Sequence, residues 1–159
     1  MNLQRIARGL KKDYEKKLVI TLKDMKALYE DKMAVQNILK RRNPVIYEVY
    51  IKSHDKKKDV GLTVLNSGKI AGEYYMTKGH KHKKAFSEIY FLIKGKGKIV
   101  MQKHNCKVID LKKGKKFLIS GDAGHRVINF GKEKIEFLAI YNKKSGHNYS
   151  FKFKKRVKE

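Results

Sequence analysis

Apolar and polar positions change rhythm at the single proline of the chain. Before it, Leu22, Met25, Leu28 and Tyr29 recur at the spacing of one helical face, with Thr21 placed as an N-cap. Val35, Ile38 and Leu39 suggest a second short helical turn, and Asn43-Pro44 stops any helix because proline disfavours helical geometry at the residue before it. After Pro44 come nine short segments rich in β-branched and aromatic residues: 45–51, 61–65, 73–77, 88–93, 98–102, 107–111, 116–119, 126–130 and 135–141. The gaps carry turn residues such as Asn66-Ser67-Gly68, Gly95-Lys96-Gly97, Lys113-Gly114, Gly121-Asp122 and Gly131-Lys132. This pattern predicts an all-β sandwich or barrel with a short N-terminal helical segment. The expected organisation is an N-terminal arm and helix over 1–42, a barrel over 43–149, and a basic tail over 150–159 that adds an edge strand or frays.

Composition narrows the class. With 159 residues, 41% of them hydrophobic, the chain has material for one buried core. A lone cysteine, Cys106, makes neither an internal disulfide nor a cysteine-based zinc knuckle and fits a reducing compartment. No apolar run approaches the roughly 20 residues needed to cross a bilayer. Asp13 and Glu15 in the basic N-terminal stretch argue against an organellar transit sequence, so a cytoplasmic setting without membrane contact is expected. The net charge of +25 is spread from Lys11 to Lys158, not gathered in one stripe with interleaved aromatics. That distribution argues against a nucleic-acid partner and for a solvated lysine surface.

Against this lysine background, the stretch GHKHKKAFSEIYFLI holds two histidines and a glutamate. In an extended strand His80 and His82 point the same way, and Glu88 opens the next strand on the face it shares with Tyr90 and Leu92. His125, after the turn Gly121-Asp122-Ala123-Gly124, is the candidate fourth ligand. Three neutral nitrogens and one carboxylate oxygen suit a divalent first-row metal with positions left open for substrate oxygens. A His-x-His pair alone more often marks hydrogen-bonding or surface histidines. Here ligand chemistry recurs across two consecutive hairpin units. His54 and His104 fall in lysine-rich loops and receive no role.

The segments HKHKKAFSEIYFLIKG and GKKFLISGDAGHRVIN resemble the two cupin motifs, the second differing at Ser120, where proline is common, and at Asp122, where glycine is common. The resemblance implies a double-stranded β-helix, or jelly-roll, cupin barrel. The chain is similar over roughly Thr21 to Tyr149 to one branch, the archaeal cupin-type phosphoglucose isomerases. The residues that carry this are 44–50, 63–65, 75–80, Glu88-Ile89-Tyr90, 125–129, 137–141 and Ser145-Gly146-His147-Asn148-Tyr149.

That likeness implies interconversion of glucose 6-phosphate and fructose 6-phosphate by a homodimer. Each subunit is expected to hold one divalent metal on His80, His82, Glu88 and His125, with Fe2+ ahead of Ni2+, Mn2+, Co2+ or Zn2+. Tyr47, Thr63, Thr77, Lys78 and Gly79 are expected around the sugar phosphate, with Tyr90 facing inward beside Glu88. Glu88 would serve as ligand and base, the loop residue His147 as acid or base at the ring oxygen, and Tyr141 beside them. The competing readings are a cupin metalloenzyme acting on another anion, such as a dioxygenase or a different sugar-phosphate isomerase, and a non-catalytic cupin that binds sugar or nucleic acid.

Overall fold

The computed structural model describes residues 2–159. Its helices are α1 (Leu3–Lys12), α2 (Leu22–Met25) and α3 (Lys32–Leu39). The strands are β1 (Lys16–Thr21), β2 (Val45–Ser53), β3 (Lys58–Leu65), β4 (Lys69–Ile70), β5 (Glu73–Tyr74), β6 (Lys81–His82), β7 (Glu88–Lys94), β8 (Gly97–Gln102), β9 (Cys106–Asp110), β10 (Lys116–Ile119), β11 (Gly124–Asn129), β12 (Ile135–Asn142) and β13 (His147–Asn148).

The N-terminal stretch departs from its expected form in three ways. Residues 3–12 already form a helix: Asn2 caps it by accepting the Arg5 N–H at 3.0 Å, and Lys11 and Lys12 sit at its C-terminal end, where cations are favoured. Ala7 and Leu10 pack on Val60, Leu62, Val64, Ile93 and Leu138, so α1 covers the outer face of a sheet. Secondly, Lys16–Thr21 pairs antiparallel with β2, from Lys16↔Ile51 to Thr21↔Val45, and gives the barrel an edge strand from within the supposed arm. Thirdly, the helix at Leu22 ends at Met25. Asp24 reaches back to accept from the Thr21 N–H and hydroxyl at 2.8 and 2.9 Å. Lys32 then donates to the carbonyls of Lys26, Ala27 and Tyr29, satisfying them outside a helical ladder. Tyr29 is buried from a turn instead of a helix.

Two sheets face each other. One has six strands in the order β1-β2-β3-β12-β7-β10, and the other has β11-β8-β9. The expected strand 73–77 is broken, with β5 ending at Tyr74, but the chain continues alongside β11 through bridges Met76↔Ile128 and His80↔His125. Alternation in β7 sends Glu88, Tyr90 and Leu92 to the interior between the sheets, where they meet Ile99, Val100, Ile119, Val127 and Phe137.

The C-terminal tail is pinned. Tyr74 N–H donates to Val157 O at 3.3 Å and Glu159 N–H to Gly72 O at 2.9 Å. Arg156 donates to the buried Glu73 carboxylate at 2.8 Å and to Leu28 O at 3.0 Å. The tail forms no strand of its own and makes one isolated antiparallel bridge, Lys158 with Glu73.

Because Glu73 is 4% exposed at its side chain and Arg156 is its one salt-bridge partner among the described residues, Arg156→Met should lower unfolding free energy by about 2 kcal/mol in urea titrations. Lys158→Met, which removes a surface ion pair with Glu30, should leave the midpoint unchanged.

Candidate metal centre

Each candidate ligand arrives on a different element. Glu88 is the first residue of β7, in the six-stranded sheet, and His125 is the second residue of β11, in the facing sheet. His80 is locked to His125 by reciprocal backbone hydrogen bonds of 3.1 and 2.9 Å. His82 lies two residues on, in β6, with its ring stacked on that of His80 at 5.2 Å. One ligand atom from each of the four residues falls within 4.8 Å of all the others. The cluster is nearly dry, with Glu88 only 2% and His125 only 1% exposed.

The hydrogen bonds decide which nitrogens face the centre. His82 Nδ1 lies 2.7 Å from Phe86 O and His125 Nδ1 lies 3.2 Å from Ala123 O, so each ring donates outward from Nδ1. Both Nε2 atoms then bring lone pairs to the same carboxylate oxygen, Glu88 Oε2, at 3.0 and 2.9 Å. Two lone pairs and an anionic oxygen repel unless a proton or a cation lies between them. His80 Nε2, 3.9 Å from the same oxygen, is buried with no hydrogen-bond partner. An orphaned imidazole nitrogen aimed at a carboxylate fits a divalent cation, and these four residues could hold one.

The electrostatics of His80 and Glu88 point the same way. Burial pushes the His80 imidazole down to about 2, with His125 adding to the effect, so it stays neutral and able to ligate. Burial pushes Glu88 up, but a proton on the facing Nε2 of His125 or His82, in the place a cation would take, outweighs it and leaves the carboxyl lowered to about 2. His82 is disfavoured as a cation by burial and favoured more strongly by Glu88, with a net upward shift.

The cluster sits in the wall of a cavity of about 470 Å³. Tyr47, Thr63, Thr77, Lys78, Gly79, Tyr90, Tyr141 and His147 all line it, together with His80, Glu88 and His125, while His82 stands behind the wall. His147 is not in a loop, as the sequence suggests. It begins β13 and pairs with His82, because the turn at Gly146 folds the chain back so that Lys83 and Lys84 donate to the carbonyls of Gly146 and Ser145. Its ring meets that of His80 edge-on at 4.3 Å, and burial lowers its basicity. Burial pushes the Tyr47 phenol up to about 12 and raises Tyr90 and Tyr141 further, so all three remain protonated donors.

Four cavity residues escaped the sequence reading: Lys16, Asp59, Lys143 and Tyr149. Lys16 shares a strand face with Leu18 and Ile20, a period-two signal legible once residues 16–21 are read as a strand. Tyr149, in the notional end of the barrel, stacks on His147 at 5.6 Å. His54 and His104 are exposed and Cys106 half-buried, away from the cluster.

The sequence matches the family profile described as glucose-6-phosphate isomerase over residues 19–157. The glucose-6-phosphate isomerase of Thermococcus onnurineus is 41% identical over 140 residues, 84% of this chain and 74% of that protein. That of Thermococcus litoralis is 37% identical over 154 residues, 89% of this chain and 81% of that protein. Among solved structures, the oxalate decarboxylase of Bacillus subtilis superposes with a TM-score of 0.52 at 22% identity over 64% of this chain. The match takes in 26% of that larger protein; it bears on the fold alone and identifies the barrel as a cupin.

The purified chain should carry close to one divalent ion per subunit by elemental analysis, and His125→Ala or Glu88→Ala should abolish retention. His54→Ala, in an exposed loop, should retain the ion fully.

Proposed function

The chain belongs to the glucose-6-phosphate isomerase family, and we propose that its barrel cavity interconverts glucose 6-phosphate and fructose 6-phosphate. One observation carries this reading: a closed set of three imidazoles and a carboxylate opens onto the same cavity as a cluster of phosphate-compatible donors. Thr63 stands level with Leu92 across β12, four residues along the strands and two strands over from Glu88, a backbone separation on the order of 16 Å. Both side chains line the same cavity, so the carbonyl end and the phosphate of an open-chain hexose phosphate can be held from its two ends.

At the phosphate end, Tyr47, Thr63 and Thr77 offer hydroxyls, Gly79 a backbone N–H and Lys78 an ammonium. At the other end, His80, His82, Glu88 and His125 would hold a divalent cation, Fe2+ in this proposal, which would supply Lewis-acid polarisation of the oxygens on C1 and C2. Glu88 takes the proton from the carbon beside the carbonyl and returns it to the neighbouring carbon. Its Oε1 takes part in none of the hydrogen bonds that hold Oε2, which leaves one oxygen available for that transfer. His147, held neutral by burial, exchanges a proton with the ring oxygen as the sugar opens. Tyr90 and Tyr141, kept protonated, donate to the sugar hydroxyls and never compete as bases.

The working form in this proposal is a cytoplasmic homodimer. β1 and β10 are the edges of the six-stranded sheet, with Val19 and Leu118 exposed on them at 45% and 61%. Light scattering of the eluting protein gives the mass directly, and a monomer would set this part aside.

A coupled assay of fructose 6-phosphate conversion tests the reaction. Activity should vanish on chelation and return with divalent metal, and Glu88→Gln should lower kcat by roughly 100-fold to 10,000-fold. In D2O the product should gain deuterium at the carbon that receives the proton. Deuterium in the product excludes direct hydride transfer, whereas an unlabelled product fits either a hydride shift or a proton that Glu88 returns faster than it exchanges with solvent.

A further inference from the structure

Behind the turn that carries Thr77, Lys78 and Gly79 lies a cation with no part in the reaction as described. Arg126 follows His125 on β11, so its side chain leaves the strand on the side opposite the metal ligands. It is 6% exposed, forms no ion pair among the described residues, and keeps Nε buried without a hydrogen-bond partner. Its guanidinium is stacked 4.1 Å from the ring centroid of Phe153 in the C-terminal tail. Leaving a buried guanidinium without a carboxylate is strongly unfavourable, and folds tolerate it where an anion arrives later or where the charge orients something else.

Arg126 does orient something. Its Nη2 donates to the Lys78 carbonyl at 2.9 Å. That carbonyl shares one peptide group with the Gly79 N–H, and no peptide bond among the described residues is cis, so the two bonds point in opposite directions. With the carbonyl turned to Arg126, the Gly79 N–H is turned away from it, towards the cavity that Gly79 lines. No group among the described residues accepts that N–H, whereas the neighbouring N–H groups of Thr77, Lys78 and His80 bond to Val127 O, the Tyr47 hydroxyl and His125 O. The close fit requires glycine: φ is +70°, and a Cβ would lie 2.6 Å from Arg126 Cβ and 2.8 Å from Phe153 Cε2.

We propose that Arg126 is a positioning residue of the phosphate site. It anchors the Lys78–Gly79 peptide with its N–H facing the cavity, and its guanidinium polarises that peptide, so the N–H becomes a stronger donor to a phosphomonoester dianion. The bound dianion in turn compensates the buried charge. This rests on the phosphate-site reading given above, and the variants separate the two.

Inhibition of fructose 6-phosphate turnover by inorganic phosphate is the probe, read together with metal content. In Arg126→Met, KM and the phosphate inhibition constant should each rise about tenfold or more, with the change falling on KM and not kcat and with full metal retention. Arg126→Lys, which keeps charge without the fork, should fall between Arg126→Met and wild type and serves if Arg126→Met does not fold. Lys78→Met checks the underlying reading. If it weakens phosphate inhibition while both Arg126 variants leave it unchanged, the inference is overturned and the phosphate site stands. If none of the three alters it, the phosphate site itself is misplaced and the inference goes with it. Loss of metal and kcat in the Arg126 variants at unaltered phosphate affinity would assign Arg126 to packing and equally overturn the proposal.

Discussion

The carboxylate of Glu88 is held in a nearly dry interior by two imidazoles that approach the same oxygen, and that contact ties β7 to β6 and β11. An anion in an apolar barrel is intolerable alone, so its neighbours must supply hydrogen bonds or a cation within reach. Glu88 lies on one sheet and His125 on the other, so satisfying the carboxylate also draws the two inner faces together. His82 and His125 are in turn oriented by backbone carbonyls at Phe86 and Ala123, which fix the tautomers before any ion arrives. The reciprocal backbone bonds between His80 and His125 remove the last freedom from the set.

Around this centre the chain divides its labour by face. The inner face of the six-stranded sheet supplies the long cavity wall, from Lys16 on β1 to Tyr141 on β12, while its outer face is sealed by α1. The tail closes the back. Phe151 fills the space where Gly124 has no side chain, and Phe153 covers Arg126 and Gly79, so residues far outside the cupin motifs shape the loops on either side of the metal centre. The residues packed behind the ligand-bearing wall therefore come in part from sequence that carries no motif.

The charge excess behaves differently from the site. Salt bridges such as Lys11–Glu136, Lys98–Asp110 and Lys103–Asp122 lie at the surface, where single pairs contribute little. With 40 basic and 15 acidic residues, most lysines have no acidic partner available. Their combined effect is a long-range positive field that favours the approach of phosphorylated anions and weakens with salt.

The sequence by itself determined the barrel after Pro44, the inward face of β7 and the four residues that cluster as candidate metal ligands. Period-two alternation and ligand chemistry are local properties, written in consecutive residues. It did not reveal that residues 16–21 join the sheet, because an edge strand of mixed lysines and aliphatics has no clear pattern until β2 lies beside it. Nor did it reveal that His147 pairs with His82, that the Leu22 helix stops after one turn, or that Arg126 sits behind the Gly79 peptide. Those are decided by contacts between residues tens of positions apart, and their register is set by packing and by which buried polar groups must find partners. Local propensity carries no record of either, so only the folded chain could settle them.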